Sequence, residues 1–184
     1  MLLNPFGGRK QAQQIWHEKA RPIFDAAAVD FVLHATTHAG HAAELTSQLD
    51  FAQYGGFVTC SGDGLLWESL QGVMQRDDWR AVLDSTPFGI IPAGSGNGLA
   101  ASLGMLDPAV AAAAICKRFA RPVDLAAVRQ EGADGTVRTW WSLLMLMWGL
   151  LADCDIGSEH MRWMGGARFT VAGVDRVSKM HRYA

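Results

Sequence analysis

Three glycine-rich segments, NPFGG at 4–8, SGDG at 61–64 and AGSGN at 93–97, each follow a short apolar run and precede a stretch of helix formers. A repeated strand-loop-helix unit of this kind predicts a mainly parallel sheet covered by helices on both faces. In an open parallel sheet such loops line up along the carboxyl edge, where ligands bind. Glycine lets the backbone approach a ligand closely, so several N–H groups can converge on one anion. A tight turn alone accounts for any one of these loops. Three of them, one with a central carboxylate, describe a phosphate cradle.

The pattern between the loops alternates. Residues 2–3 end a strand, and 10–28 read as a helix with Ile15, Trp16, Ile23 and Phe24 as its apolar positions. The β-branched stretch 29–36 predicts a strand, 40–49 a helix, 57–60 a strand and 65–74 a helix. A strand at 88–91 stops at Pro92, and helices are predicted at 98–103 and 108–119. After Pro122 the texture changes. Strands at 123–130 and 137–147 flank the polar turn EGADG, which predicts a hairpin and the start of an antiparallel layer. Residues 157–183 read as mixed and partly helical. The expected division is an α/β domain over 1–121 and the beginning of a β-rich second domain over 122–184.

With 184 residues, 49% hydrophobic and 18% charged, the chain can bury one domain and part of another. It carries 16 basic and 18 acidic side chains and a pI near 6.3. No global field draws it to nucleic acid, so any phosphate must be held locally. Cys60, Cys116 and Cys154 are widely spaced in apolar surroundings, which predicts buried thiols in a reducing compartment. No secretory signal is present, and the cytoplasm is the expected location. The apolar run WWSLLMLMWGLLA at 140–152 is shorter than the ~20 residues of a membrane helix. It predicts a buried strand followed by a turn, with side chains that contact lipid.

Neither a GxxxxGK[ST] loop nor a GxGxxG fingerprint occurs. Asp63 carries the sharpest chemical implication, because a carboxylate among glycine amides beside bound phosphate can accept a proton from an attacking hydroxyl. Aspartate also caps helix N-termini well, and sequence position does not separate the two roles. Asp153 directly follows the apolar run and could pair with an amino head group at the mouth of an apolar pocket. Otherwise it is a solvated turn residue, and Arg162 and Arg168 are ordinary surface arginines.

The segment SGDGLLWESLQG followed by PAGSGNGLAASL resembles the catalytic domain shared by diacylglycerol kinases and sphingosine kinases. NPFGGRKQA, Glu68 five residues after Asp63, and WGLLADCDIGSE occur in family order, and the last, with Arg162 and Arg168 behind it, is similar to sphingosine kinases in particular. The resemblance implies ATP-dependent phosphorylation of the primary hydroxyl of a sphingoid base, sphingosine becoming sphingosine 1-phosphate. It implies Asp63 as general base. Asn4, Pro5, Phe6, Thr36 of the TTHAGHA stretch, Ser61, Gly62, Gly64, Glu68, Gly94, Ser95 and Gly96 would surround the nucleotide or the reacting hydroxyl. Arg162 and Arg168 would reach the nucleotide phosphates, and Asp153 would meet the sphingoid head group. Mg²⁺ is implied as the companion of ATP, without a compact cluster of protein ligands. Extraction of a lipid implies transient docking on a membrane surface, hence a cytoplasmic protein with peripheral membrane association.

Departures accompany the matches. Phe6 stands where many relatives carry a polar or basic residue, Gln11 where lysine is common, and Trp67 has no account beyond packing. Relatives continue into a second, mostly β domain, so this sequence is expected to continue past Ala184, and Leu2 already lies inside the first strand. Three other readings stay open. A diacylglycerol or ceramide kinase would have no need of Asp153 as a counter-charge. An NAD kinase shares the GDG loop but fits PAGSGN and ADCD poorly. A non-catalytic fragment would bind nucleotide without turnover.

Overall fold

Leu2 and Leu3, adjacent in the first strand, point to opposite faces of a sheet and enter two different cores. This computed structural model describes residues 1–7 and 10–179, with the side chain of Arg162 outside that description. Strands β1 (Leu2–Leu3), β2 (His34–Ala35), β3 (Phe57–Ser61) and β4 (Phe88–Pro92) pair in parallel in the order β2-β1-β3-β4. On one face, α1 (Ala12–Ile15), a π turn (Trp16–Ala20) and α2 (Arg21–Ala26) follow one another. They pack with α7 (Pro108–Cys116) over Leu3, Cys60 and Ile91. On the other face α3 (His41–Gln48), α4 (Asp63–Val73) and α5 (Trp79–Ser85) bury Leu2, Phe57, Leu65, Val73 and Val82. A short α6 (Gly98–Ser102) follows β4.

The parallel α/β architecture is as expected, with differences of detail. The predicted strand 29–36 shrinks to β2, because β1 offers only two residues to pair with. Upstream of β2, Phe31 turns instead to the helices and meets Trp16 edge-on at 4.9 Å. Helix α5 was not foreseen; it is short and amphipathic, and it lies between two polar turns. Cys60 and Cys154 are buried, whereas Cys116 is only half-buried.

Past Pro122 the expected hairpin forms from β5 (Ala126–Glu131) and β6 (Val137–Ser142), antiparallel with Val128 opposite Trp140. Helix α8 (Leu150–Gly157), a 3₁₀ stretch (Glu159–Met164) and α9 (Ala167–Ser178) complete the described chain. The apolar run 140–152 corrects the sequence reading. Its strand ends at Ser142 and not at Met147, and its side chains are largely exposed, with Met145 at 66%, Leu146 at 76% and Trp148 at 70%. The ribbon is largely exposed, and it meets α4 at the end of β6, where Gln71 bonds the Trp141 backbone. Residues 145–148 extend beyond that contact.

Candidate active site

The register of the parallel sheet puts four strand ends in one row. Leu3 pairs with Ala35 and with Cys60, and Ser61 pairs with Pro92, so Asn4, Thr36, Ser61 and the loop after Pro92 share the carboxyl edge. Asn4 folds the first loop on itself by accepting from the Phe6 N–H at 2.9 Å. A methyl group on Gly7 would lie 3.2 Å from Asn4 Nδ2 and 3.4 Å from Ser61 Oγ, so this loop rests against the second. Pro5 belongs to the same turn, and Phe6 is 64% exposed above it. Thr36 is buried and ties β2 to β1 by donating its N–H to Leu3 O at 2.8 Å. Gly8 and Arg9 of the NPFGGR motif lie outside the described residues.

The second and third loops meet back to back. A Cβ on Gly94 would collide with Gly62 Cα, and one on Gly62 would lie 2.9 Å from Gly96 O. Only glycine permits this approach. Asn97 closes the third loop: its Oδ1 accepts from Gly94 N at 3.0 Å, and its Nδ2 donates to Gly94 O at 3.1 Å. In front of Gly64 and Gly96 an added Cβ would meet nothing within 4 Å. Those two glycines, with the half-buried Ser95 beside Gly96, face open space of the kind a polyphosphate chain needs.

Helix α4 carries both acids of the second loop and sends each to the start of another helix. Asp63 Oδ2 accepts from Gly98 N at 2.6 Å and Oδ1 from Leu99 N at 3.0 Å, so its carboxylate holds the first turn of α6. Glu68 Oε1 accepts from Ala42 N at 2.8 Å, which anchors α3 and the TTHAGHA turn that leads into it. The capping alternative for Asp63 is therefore real, but the capped helix is α6 and not its own. Behind the cradle, Cys60 is fully buried, and burial pushes its thiol up to about 12, so it is a core group and not a nucleophile.

The carboxy-terminal site residues that are described, Asp153 and Arg168, lie on α8 and α9. Asp153 lies in the first turn of α8, with its Oδ2 4.0 Å from Arg176 Nε. Arg168 is buried at 5% exposure; it donates from Nη2 to Asp155 Oδ1 at 2.6 Å and stacks over Phe169 at 4.3 Å. Its Nε has no partner among the described residues. Arg168 thus fastens α9 to α8, a role the sequence did not show. The Arg162 side chain, expected at the phosphates, lies outside the described set. Trp67, left unexplained by the sequence, stacks on Trp140 of the hairpin at 6.1 Å. Asn97 and the Gly98 and Leu99 amides were missed as contributors to the site. An asparagine closing a glycine loop just before a helix is the signal that could have found them.

No group of three His, Cys, Asp or Glu side chains able to hold a metal occurs among the described residues.

The model of the diacylglycerol kinase catalytic domain matches residues 1–128. Sphingosine kinase 1 of Arabidopsis thaliana is 39% identical over 190 residues, covering 100% of this chain and 38% of the relative. Human sphingosine kinase 2 is 37% identical over 193 residues, covering 100% of this chain and 29% of the relative. The chain thus spans well under half the length of these two proteins. Among solved structures, a diacylglycerol kinase from Bacillus anthracis str. Sterne superposes with a TM-score of 0.56 at 24% identity. That superposition covers 68% of this chain and 46% of the other.

Proposed function

The chain belongs to the diacylglycerol kinase catalytic domain family, and from that membership we propose that it transfers a phosphoryl group from ATP to the primary hydroxyl of a sphingoid base. The observation that carries the reading is the Asp63 carboxylate, held by two α6 amides where the second and third glycine loops meet. Each of its oxygens keeps a lone pair free, so it can take the proton of an acceptor hydroxyl while the amides fix its direction. Support for a sphingoid acceptor comes from the sphingosine kinases, similar to this chain over its whole length.

ATP would supply the phosphoryl group, and its Mg²⁺ the countercharge that phosphoryl transfer requires. The chain's own part is to position and to neutralise. Backbone N–H groups of Gly7, Gly62, Gly64, Ser95 and Gly96 would point at phosphate oxygens, with the Asn4 and Ser61 side chains beside them. Arg162 and, once released from Asp155, Arg168 would add positive charge. Asp153 would pair with the ammonium of the lipid. No described helix is long and apolar enough to cross a membrane, so we propose that lipid is reached by peripheral docking from the cytoplasm.

The test is a labelled-ATP assay of the full-length protein against sphingosine, diacylglycerol and ceramide. Sphingosine is expected to be labelled most efficiently. Labelling of diacylglycerol or ceramide alone would overturn the sphingoid assignment, and nucleotide binding without labelling of any lipid would overturn the kinase reading.

A further inference from the structure

Gln71 lies eight residues along α4 from Asp63, about 12 Å on the helix axis at ~1.5 Å per residue. Its carboxamide makes both bonds that a neighbouring strand would make with β6. Nε2 donates to Trp141 O at 2.8 Å, and Trp141 N donates to Oε1 at 3.0 Å. Trp141 stands opposite Ala127 in the hairpin, and its outward N–H and C=O belong to the free edge of β6. A strand edge carries donors and acceptors that must be satisfied, and Gln71 satisfies this pair. Two ring pairs flank the clamp, Trp67 with Trp140 at 6.1 Å and Trp79 with Trp141 at 6.0 Å. A slip of one residue would send each ring to the opposite face. The clamp therefore fixes register as well as contact.

The register matters because it places the residues just past Ser142. Leu143 enters the cluster of Leu66, Ile90 and Ala100. Leu144 is thereby turned toward the start of α6, its methyl groups 3.6 Å from where a Cβ on Gly98 would sit. That same point is 3.5 Å from Asp63 Oδ2. Leu144 and the Asp63 carboxylate thus flank one spot, and Leu144 remains 41% exposed. A hydroxyl within ~3 Å of that carboxylate brings its own carbon, and the next one, within contact range of Leu144.

We propose that Leu144 is the wall against which the acceptor packs beside its reacting hydroxyl, and that Gln71 is the positioning residue that sets this wall. The inference rests on the kinase reading above, with Asp63 facing the acceptor. It makes Leu144 a specificity residue that disfavours bulk on the carbon next to the carbinol.

The experiment uses the full-length protein with sphingosine and an analogue carrying one extra methyl on the amine-bearing carbon. Leu144→Ala is expected to raise the ratio of kcat/KM for analogue over sphingosine by about tenfold, the scale of one methyl group in a pocket. Gln71→Met, which removes both clamp bonds, should move the ratio in the same direction. Gln71→Glu, which keeps only the bond from Trp141 N–H, should give an intermediate shift and carries the test where Gln71→Met does not fold. The double variant Gln71→Met with Leu144→Ala should shift the ratio no further than the larger single change, because both act on one wall. A purely structural Gln71 would lower turnover of both lipids and raise the KM for ATP while the ratio stayed fixed. An unchanged ratio in active Leu144→Ala, or a double variant that multiplies the single effects, overturns the proposal alone. A wild-type protein that labels no lipid overturns the kinase reading together with it.

Discussion

The Asp63 carboxylate accepts from two amides at the first turn of α6 and keeps capacity for a third partner on either oxygen. Asp63→Asn therefore changes two things. The amide has one acceptor oxygen, so its NH₂ must face the N–H of Gly98 or Leu99, and one bond is lost. We expect a stability loss of about 1 kcal/mol, or roughly 2–4 °C in Tm for a chain of this size. Turnover should fall by at least ~10²-fold, because the base is gone. Thermal unfolding and product formation measured on one preparation separate the two effects. A folded variant with full turnover would sink the base assignment and leave Asp63 as a cap alone.

At the scale of elements, α4 is the frame of the site, since it carries Asp63, Glu68 and Gln71 and crosses α3 at Gly72. A Cβ on Gly72 would collide with Ala43 O and Thr46 Oγ1, while Thr46 Oγ1 bonds to Ser69 O at 2.8 Å across the same crossing. Gly72→Ala should force the helices apart at a cost of about 3 kcal/mol and loosen the Glu68 anchor on α3. Chemical denaturation checks this: a shift in midpoint is expected, and a stability within error of the parent would mean that the crossing yields easily. In α8 the relevant residue is Asp153. Asp153→Asn should weaken sphingosine binding by about tenfold, as the loss of a charge-assisted bond to an ammonium would, and should leave ATP affinity nearly unchanged. Titration calorimetry with each ligand distinguishes this from a role in fastening α9 through Arg176, in which case both affinities would fall together.

Among the described residues the helices over the sheet bury three apolar clusters, whereas the segment after β6 leaves Met145, Leu146, Trp148 and Leu151 exposed. Large apolar side chains left exposed along one segment favour association. The 184-residue chain is therefore expected to self-associate at micromolar concentration. Sedimentation velocity tests this, and Leu146→Asp with Trp148→Ser should restore a single monomeric species. A parent chain that stays monomeric would show that these exposed side chains do not drive association.

Local sequence sets the parallel sheet, its loops and the residues of the cradle. Glycine freedom and strand-helix alternation are local properties, and Asn4, Ser61, Asp63 and Gly94 to Gly96 fall at strand ends wherever the strands go. The lengths of the strands are not local, because pairing depends on the partner: β2 stops where β1 stops, and β6 ends at Ser142, opposite Ala126, the first residue of β5. The partners of the charged groups emerge only from packing in three dimensions. Asp63 binds two amides of α6, Glu68 the Ala42 amide of α3, and Arg168 turns inward to Asp155. Such pairings join residues from 13 to 36 positions apart. They are fixed by how helices pack across the sheet, a geometry that no local pattern of residues encodes.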